Sequence, residues 1–201
     1  TCMSVLIAFF TYITYTYIYA FELSTEQLTI QRFVTLPGIL IVLPLSVYLT
    51  RMFDKKRTLI YACLVTAFFM GLPFCLRLID FFPGNDSPWL LVALFGPLFV
   101  SSLVAPLLPI VIDSQLADIT DDHEHRTGQR SEGVVFSIRT FAMKATSGVG
   151  GLIGGFGLEL IEFPEQAVPG EVAQEALNGL LFMSGPLYWI IVLASIGFMA
   201  M

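Results

Sequence analysis

Charge-free apolar stretches recur along the chain at a length that fits a bilayer. Residues 2–21, 33–50, 58–76, 87–112 and 176–201 contain no Asp, Glu, Lys or Arg, and a further run, 145–158, reaches back to 133 interrupted only by Arg139 and Lys144. A helix of about 20 mostly apolar residues crosses roughly 30 Å of hydrocarbon. The pattern predicts an all-α membrane protein with six transmembrane helices, near 2–21, 30–50, 58–79, 88–116, 134–161 and 179–201.

The polar connections give the spans a direction. Those after the second and fourth spans, Arg51–Arg57 and Ala117–Gly133, hold six of the ten basic residues: Arg51, Lys55, Lys56, Arg57, Arg126 and Arg130. The connections 22–29, 80–87 and 162–178 hold none. Lys and Arg collect in cytoplasmic loops, so the basic connections and both ends of the chain are expected on the cytoplasmic side.

Composition narrows the function classes. Of the 201 residues, 56% are apolar and 13% charged, against roughly 25% charged in a soluble domain; a soluble enzyme, a disordered regulator or a disulfide scaffold does not fit. The net charge of −6 argues against nucleic acid, which calls for clustered Lys and Arg. Cys2, Cys63 and Cys75 sit in apolar runs, and the last two would lie roughly 18 Å apart along one helix, too far to bridge. Thr1 is not an initiator methionine and Met201 ends inside apolar sequence, so the expectation is part of a longer chain.

Within the spans, Pro37, Pro44, Pro73, Pro97, Pro106 and Pro109 each remove a backbone donor and predict kinks. On a 3.6-residue repeat, Gly133, Ser137, Thr140, Lys144, Ser147 and Gly151 share one face of span five. Val134, Ile138, Phe141, Ala145, Val149, Leu152 and Phe156 form an apolar strip about 100° away. The first face should look into a bundle or cavity and the second towards lipid. The glycines of 148–157 superficially suggest a phosphate loop, but no strand precedes them and no lysine follows. Their Gly150/Gly154 and Gly151/Gly155 spacings instead suit close helix packing. Tyr12, Tyr15 and Tyr19 make a stripe on span one that suits a sugar-binding wall, and equally interfacial anchoring or packing.

Lys144 is the first candidate for chemistry. About eleven residues into its span it lies roughly 16 Å deep, where a lysine costs on the order of 3 kcal/mol even on lenient insertion scales. No carboxylate of the chain lies at that depth. Lys144 therefore sheds its proton, faces hydrated space, or pairs with a group outside this chain. Arg139 and Asp113 lie at similar shallow depths on adjacent spans and form a candidate ion pair. His123, His125 and the surrounding acids lack metal-site spacing and are expected as a solvated loop.

The sequence Asp118-x-x-Asp121-x-x-Glu124, followed by Thr127-Gly128, Arg130-x-Glu132-Gly133 and a lysine twelve residues beyond Glu132, resembles the glycoside–pentoside–hexuronide cation symporters. These are the melibiose permease group of the major facilitator superfamily. The specific motif spans 113–151. The resemblance implies that the six spans are the carboxy-terminal half of a twelve-helix transporter in a bacterial cytoplasmic (inner) membrane. It implies alternating access with Na⁺ or H⁺ coupling, no other cofactor, and a small glycoside as solute. Lys144 would lie near the cation site, whose ligands belong to the amino-terminal half, with Thr140, Ser137 and the three tyrosines nearby. Asp113, Asp118, Asp121, Glu124, Arg130, Glu132 and Arg139 would form a cytoplasmic gate. The acidic connection 162–178 is longer than the family's usual turn, which leaves the substrate open. A lipid-type solute, a six-span homo-oligomeric pore and an intramembrane enzyme are the competing readings; the last lacks any nucleophile–base or metal spacing.

Overall fold

The computed structural model describes residues 2–129 and 131–200, with side chains for 9–129 and 131–198. The described residues contain helices and turns only. Helix α1, Cys2–Tyr15, runs into a π-helical turn, Thr16–Ala20. Then come α2, Thr25–Met52; α3, Lys55–Leu78; α4, Leu90–Val104; α5, Leu107–Thr127; and α6, Glu132–Leu160. The last stretch is α7, Gln174–Phe182, a π-helical turn, Met183–Leu187, and α8, Tyr188–Ala200. Among the described residues, four segments are long and apolar enough to cross a membrane: Thr25–Met52, Lys55–Leu78, Leu90–Thr127 and Gln174–Phe198.

Local chemistry explains several boundaries. Ser24 and Gln27 form a reciprocal capping box at the start of α2: Gln27 N–H donates to Ser24 Oγ at 3.3 Å, and Ser24 N–H donates to Gln27 Oε1 at 2.8 Å. This starts α2 five residues before the expected span. Pro37, Pro44, Pro73 and Pro97 lie within continuous helices, whereas the chain turns between α4 and α5 at Ala105–Pro106. Pro186 lies inside the second π turn.

The connection expected as a loop from Ala117 is corrected. Residues 117–127 continue α5 as helix, because no breaker intervenes before Gly128, which ends it with a left-handed φ of 69°. Arg126 pairs with Asp122 one turn earlier, Nε to Oδ2 at 3.0 Å, in the favourable acid-before-base order. The Asp, His and Thr of this stretch are only moderate helix formers, so the absence of Gly or Pro before Gly128 is what lets the helix continue.

The core is aromatic and tight. Phe9 stacks on Tyr188 with centroids 3.8 Å apart, and Phe74 meets Phe9, Tyr17 and Phe21. The π turns of the first and last segments meet through a buried hydroxyl pair, Thr16 Oγ1 and Ser184 Oγ, at 3.0 Å. The Trp189 indole donates to Ala67 O of α3 at 2.8 Å. Trp189 also stacks on Phe68, with centroids 5.8 Å apart, so Trp189→Phe should keep a ring there and lose this bond, lowering thermal stability in detergent by about 1 kcal/mol; an unchanged melting temperature would contradict this.

Small residues set the closest approaches, as expected where lipid supplies no hydrophobic drive for helix association. A Cβ on Gly38 would fall 1.9 Å from Ser102 O of α4. On α6, Gly150, Gly154 and Gly157 are the buried positions, and α1 packs along them: a Cβ on Gly157 would fall 2.0 Å from Tyr12 Oη. Of the two expected glycine pairs, Gly150/Gly154 packs, while Gly151 and Gly155 are exposed. Cys63 and Cys75 both lie on α3 and form no disulfide.

Candidate functional site in the outer face of helix α6

Helix α6 touches its neighbours mainly along one edge, which leaves most of its circumference uncovered. The apolar strip is open, with Phe141 73% and Leu152 76% exposed. The polar face is open too: Gly133, Ser137, Thr140, Lys144, Ser147 and Gly151 are all exposed.

A groove of about 490 Å³ runs along that polar face, lined by Gly133, Phe136, Ser137, Thr140, Phe141 and Lys144. Ser137 Oγ donates to Gly133 O at 2.6 Å and Thr140 Oγ1 to Phe136 O at 2.9 Å. Both hydroxyls thus place their protons on the helix's own carbonyls and keep oxygen lone pairs for a ligand. Lys144 supplies a cation, and among the described residues no carboxylate lines the groove. The arrangement suits hydrogen bonding to hydroxyls and pairing with an anion.

The tyrosines do not join this groove. Tyr12 is 5% exposed, and its hydroxyl donates to Ile153 O at 2.8 Å, so it packs α1 on α6 rather than forming a ligand wall. Tyr15 and Tyr19 meet Phe163 edge-on, with centroids 5.3 and 5.0 Å away. They line a second cavity of about 630 Å³ with Glu159, Glu162 and Glu165. Gly155 of that cavity is eleven residues along α6 from Lys144, roughly 16 Å. The expected single site is therefore split in three.

At the other end of α6, Arg139 Nε lies 2.5 Å from Asp113 Oδ1 of α5. The contact is an ion pair without an aligned hydrogen bond to that oxygen. Either charge reversal alone, Asp113→Arg or Arg139→Asp, should lower the melting temperature, and the double reversal should recover it. The effect is up to about 1 kcal/mol, because both groups remain partly in contact with solvent. A double variant no better than the singles would contradict the pairing.

The other acids behave differently from one another. Asp118 pairs with Lys55 at the start of α3, Oδ2 to Nζ at 2.5 Å, inside the same bundle. Asp121 and Glu124 are exposed on α5, and Glu132 opens α6. Arg130 lies outside the described residues. His123 and His125, two positions apart on a helix, point about 200° apart. Among the described residues no group of three or more His, Cys, Asp or Glu side chains could hold a metal.

Sequence reasoning passed over Arg77. It donates to Pro83 O and Asn85 Oδ1, each at 3.0 Å, and Asn85 donates to Ala20 O at 3.3 Å, tying α3 to its following loop and to the end of the π-helical turn after α1. An arginine at the edge of an apolar run was the available signal.

Comparison with known proteins agrees with this architecture. The chain is 29% identical over 165 residues, 80% of its length, to an Escherichia coli (strain K12) protein described as a "Putative sulfoquinovose importer". The match covers 31% of that protein, so the chain spans about a third of the length of the curated relative it matches. No solved structure matches. The family described as "MFS/sugar transport protein" matches residues 1–201, and the chain belongs to that family of integral membrane transporters.

Proposed function

We propose that this chain is a six-span half of a cation-coupled secondary transporter that moves a sugar, glycoside or uronide by alternating access. The observation that carries the reading is the uncovered polar face of α6, where Ser137, Thr140 and Lys144 line one groove. A lysine in a membrane helix is costly unless it meets water, an anion or a partner. A second six-helix half facing this groove would enclose it and make a solute path between the two. Cation and solute binding would then shift the balance between outward- and inward-open states through their different affinities for each. In this reading the Asp113–Arg139 pair and the acids of α5 sit at the cytoplasmic gate, and both ends of the chain lie in the cytoplasm.

The groove's chemistry favours acidic sugars as substrates. The charged side chain that lines it among the described residues, Lys144, is cationic, and the relative's described substrate, sulfoquinovose, is a sulfonated hexose. Lys144 would pair with the sulfonate or carboxylate while the hydroxyls of Ser137 and Thr140 accept from the sugar ring. The test is uptake by the full-length protein in proteoliposomes under imposed Na⁺ or H⁺ gradients. Sulfoquinovose and a hexuronide should be taken up only with the gradient, ahead of their neutral parent sugars. Uptake indifferent to any ion gradient removes the coupling, and uptake of neutral sugars alone removes the role of Lys144 as an anion partner.

A further inference from the structure

The tight turn between α2 and α3 concentrates positive charge in a chain that is acidic overall. Arg51, Lys55, Lys56 and Arg57 fall within seven residues, and the last three occupy the first turn of α3, which contains no acid. Helix N-termini are already positive, so cations there are electrostatically opposed. Asp54, at the N-cap, gives no side-chain hydrogen bond to relieve them. Lys55 is held by Asp118 and reaches Ser114 O. Arg51 and Arg57 are exposed, and neither has an ion pair or hydrogen bond among the described residues.

The surroundings place this charge at a membrane boundary. Both helices leaving the turn are long and apolar enough to span, and Tyr48, Phe53 and Tyr61 stand exposed beside the arginines. Phe53 and Tyr61 pack edge-on with centroids 5.6 Å apart. Exposed aromatic rings level with unpaired cations match the interfacial layer, where rings sit at headgroup depth and basic residues meet lipid phosphate.

We propose that the α2–α3 turn is a binding site for an anionic phospholipid. The headgroup is held by Arg51 and Arg57, and the acyl chains lie along the exposed apolar faces of α2 and α3. A phosphate alone would satisfy the charge but leave those faces uncovered. The lipid satisfies both, and it relieves the opposition between the basic first turn and the helix dipole. The site depends on membrane insertion of α2 and α3 and not on which solute is carried.

Photo-crosslinking tests it with the full-length protein in phosphatidylcholine nanodiscs carrying a small fraction of photoactivatable phosphatidylglycerol. Label should appear on the peptide covering residues 48–61 and exceed that from the same probe on phosphatidylcholine. Each arginine near an anionic headgroup contributes about a five-fold preference, so Arg51→Gln with Arg57→Gln should lower the labelling about 30-fold. The Arg51→Lys, Arg57→Lys variant should retain most of it, separating lost charge from misfolding. Millimolar inorganic phosphate should leave it intact. Equal labelling by the two lipid probes, full labelling of the double Gln variant, or displacement by inorganic phosphate each overturns the proposal.

Discussion

Replacing Lys144 with Ala should reduce gradient-driven uptake by between about 5- and 150-fold, the usual range of a coupling interaction, without lowering the amount of folded protein. Lys144 is exposed in the groove and no contact that holds the helices together depends on it. Removing it should therefore leave the stability within about 0.5 kcal/mol of the parent. Lys144→Arg keeps the charge and should retain more uptake than Lys144→Ala, with a raised KM because the bulkier guanidinium presents its donors in a fixed plane. If Lys144→Ala transports normally, Lys144 is not the solute's anion partner. If it fails to fold, the lysine is structural.

The largest stability effects should come from the glycine contacts, and two of them should differ in whether a second substitution rescues them. Gly38→Ala places its new carbon 1.9 Å from Ser102 O, a backbone atom that shortening the Ser102 side chain leaves in place. Helices α2 and α4 must separate, with an expected loss of at least 1–3 kcal/mol, the ordinary scale of overpacking, and Ser102→Ala should not recover it. Gly157→Ala meets the Tyr12 hydroxyl, at 2.0 Å. Tyr12→Phe removes that oxygen, so the Tyr12→Phe, Gly157→Ala pair should recover part of the lost stability, less the bond to Ile153 O. Thermal unfolding of the purified variants checks both. Rescue at Gly38 by Ser102→Ala, or none at Gly157, would contradict the packing described.

These contacts show which parts of the molecule the sequence revealed. The apolar runs located most of the helical segments because hydropathy over 20 residues is a strong local signal, whereas the 3.6-residue repeat marked two faces of α6 that are both exposed. Local signals did not reveal partners. The repeat offered Gly150/Gly154 and Gly151/Gly155 equally, and only the position of α1 selects the first. The Tyr12, Tyr15, Tyr19 stripe is contiguous in sequence, yet the crossing of α1 and α6 buries Tyr12 and sends the other two to a separate cavity. The 117–127 stretch differs again: its charge suggests a loop, whereas Gly128 is the first residue able to end the helix. The π-helical turns at Thr16–Ala20 and Met183–Leu187 had no sequence signature, since each is identified by the backbone and by the Thr16–Ser184 contact between them.

The central claim is that the polar face of α6 borders a water-filled solute path. Its most direct measurement is substituted-cysteine labelling of the full-length protein, with Cys2, Cys63 and Cys75 replaced. Single cysteines at Ser137, Thr140 and Lys144 should react with a membrane-impermeant thiol reagent, and added sugar substrate should slow the reaction. Cysteines at Ile138, Leu152 and Phe156, on the apolar strip and outside the groove's lining, should stay unreactive. Equal reactivity of the two sets, or an unreactive polar face, would contradict the account.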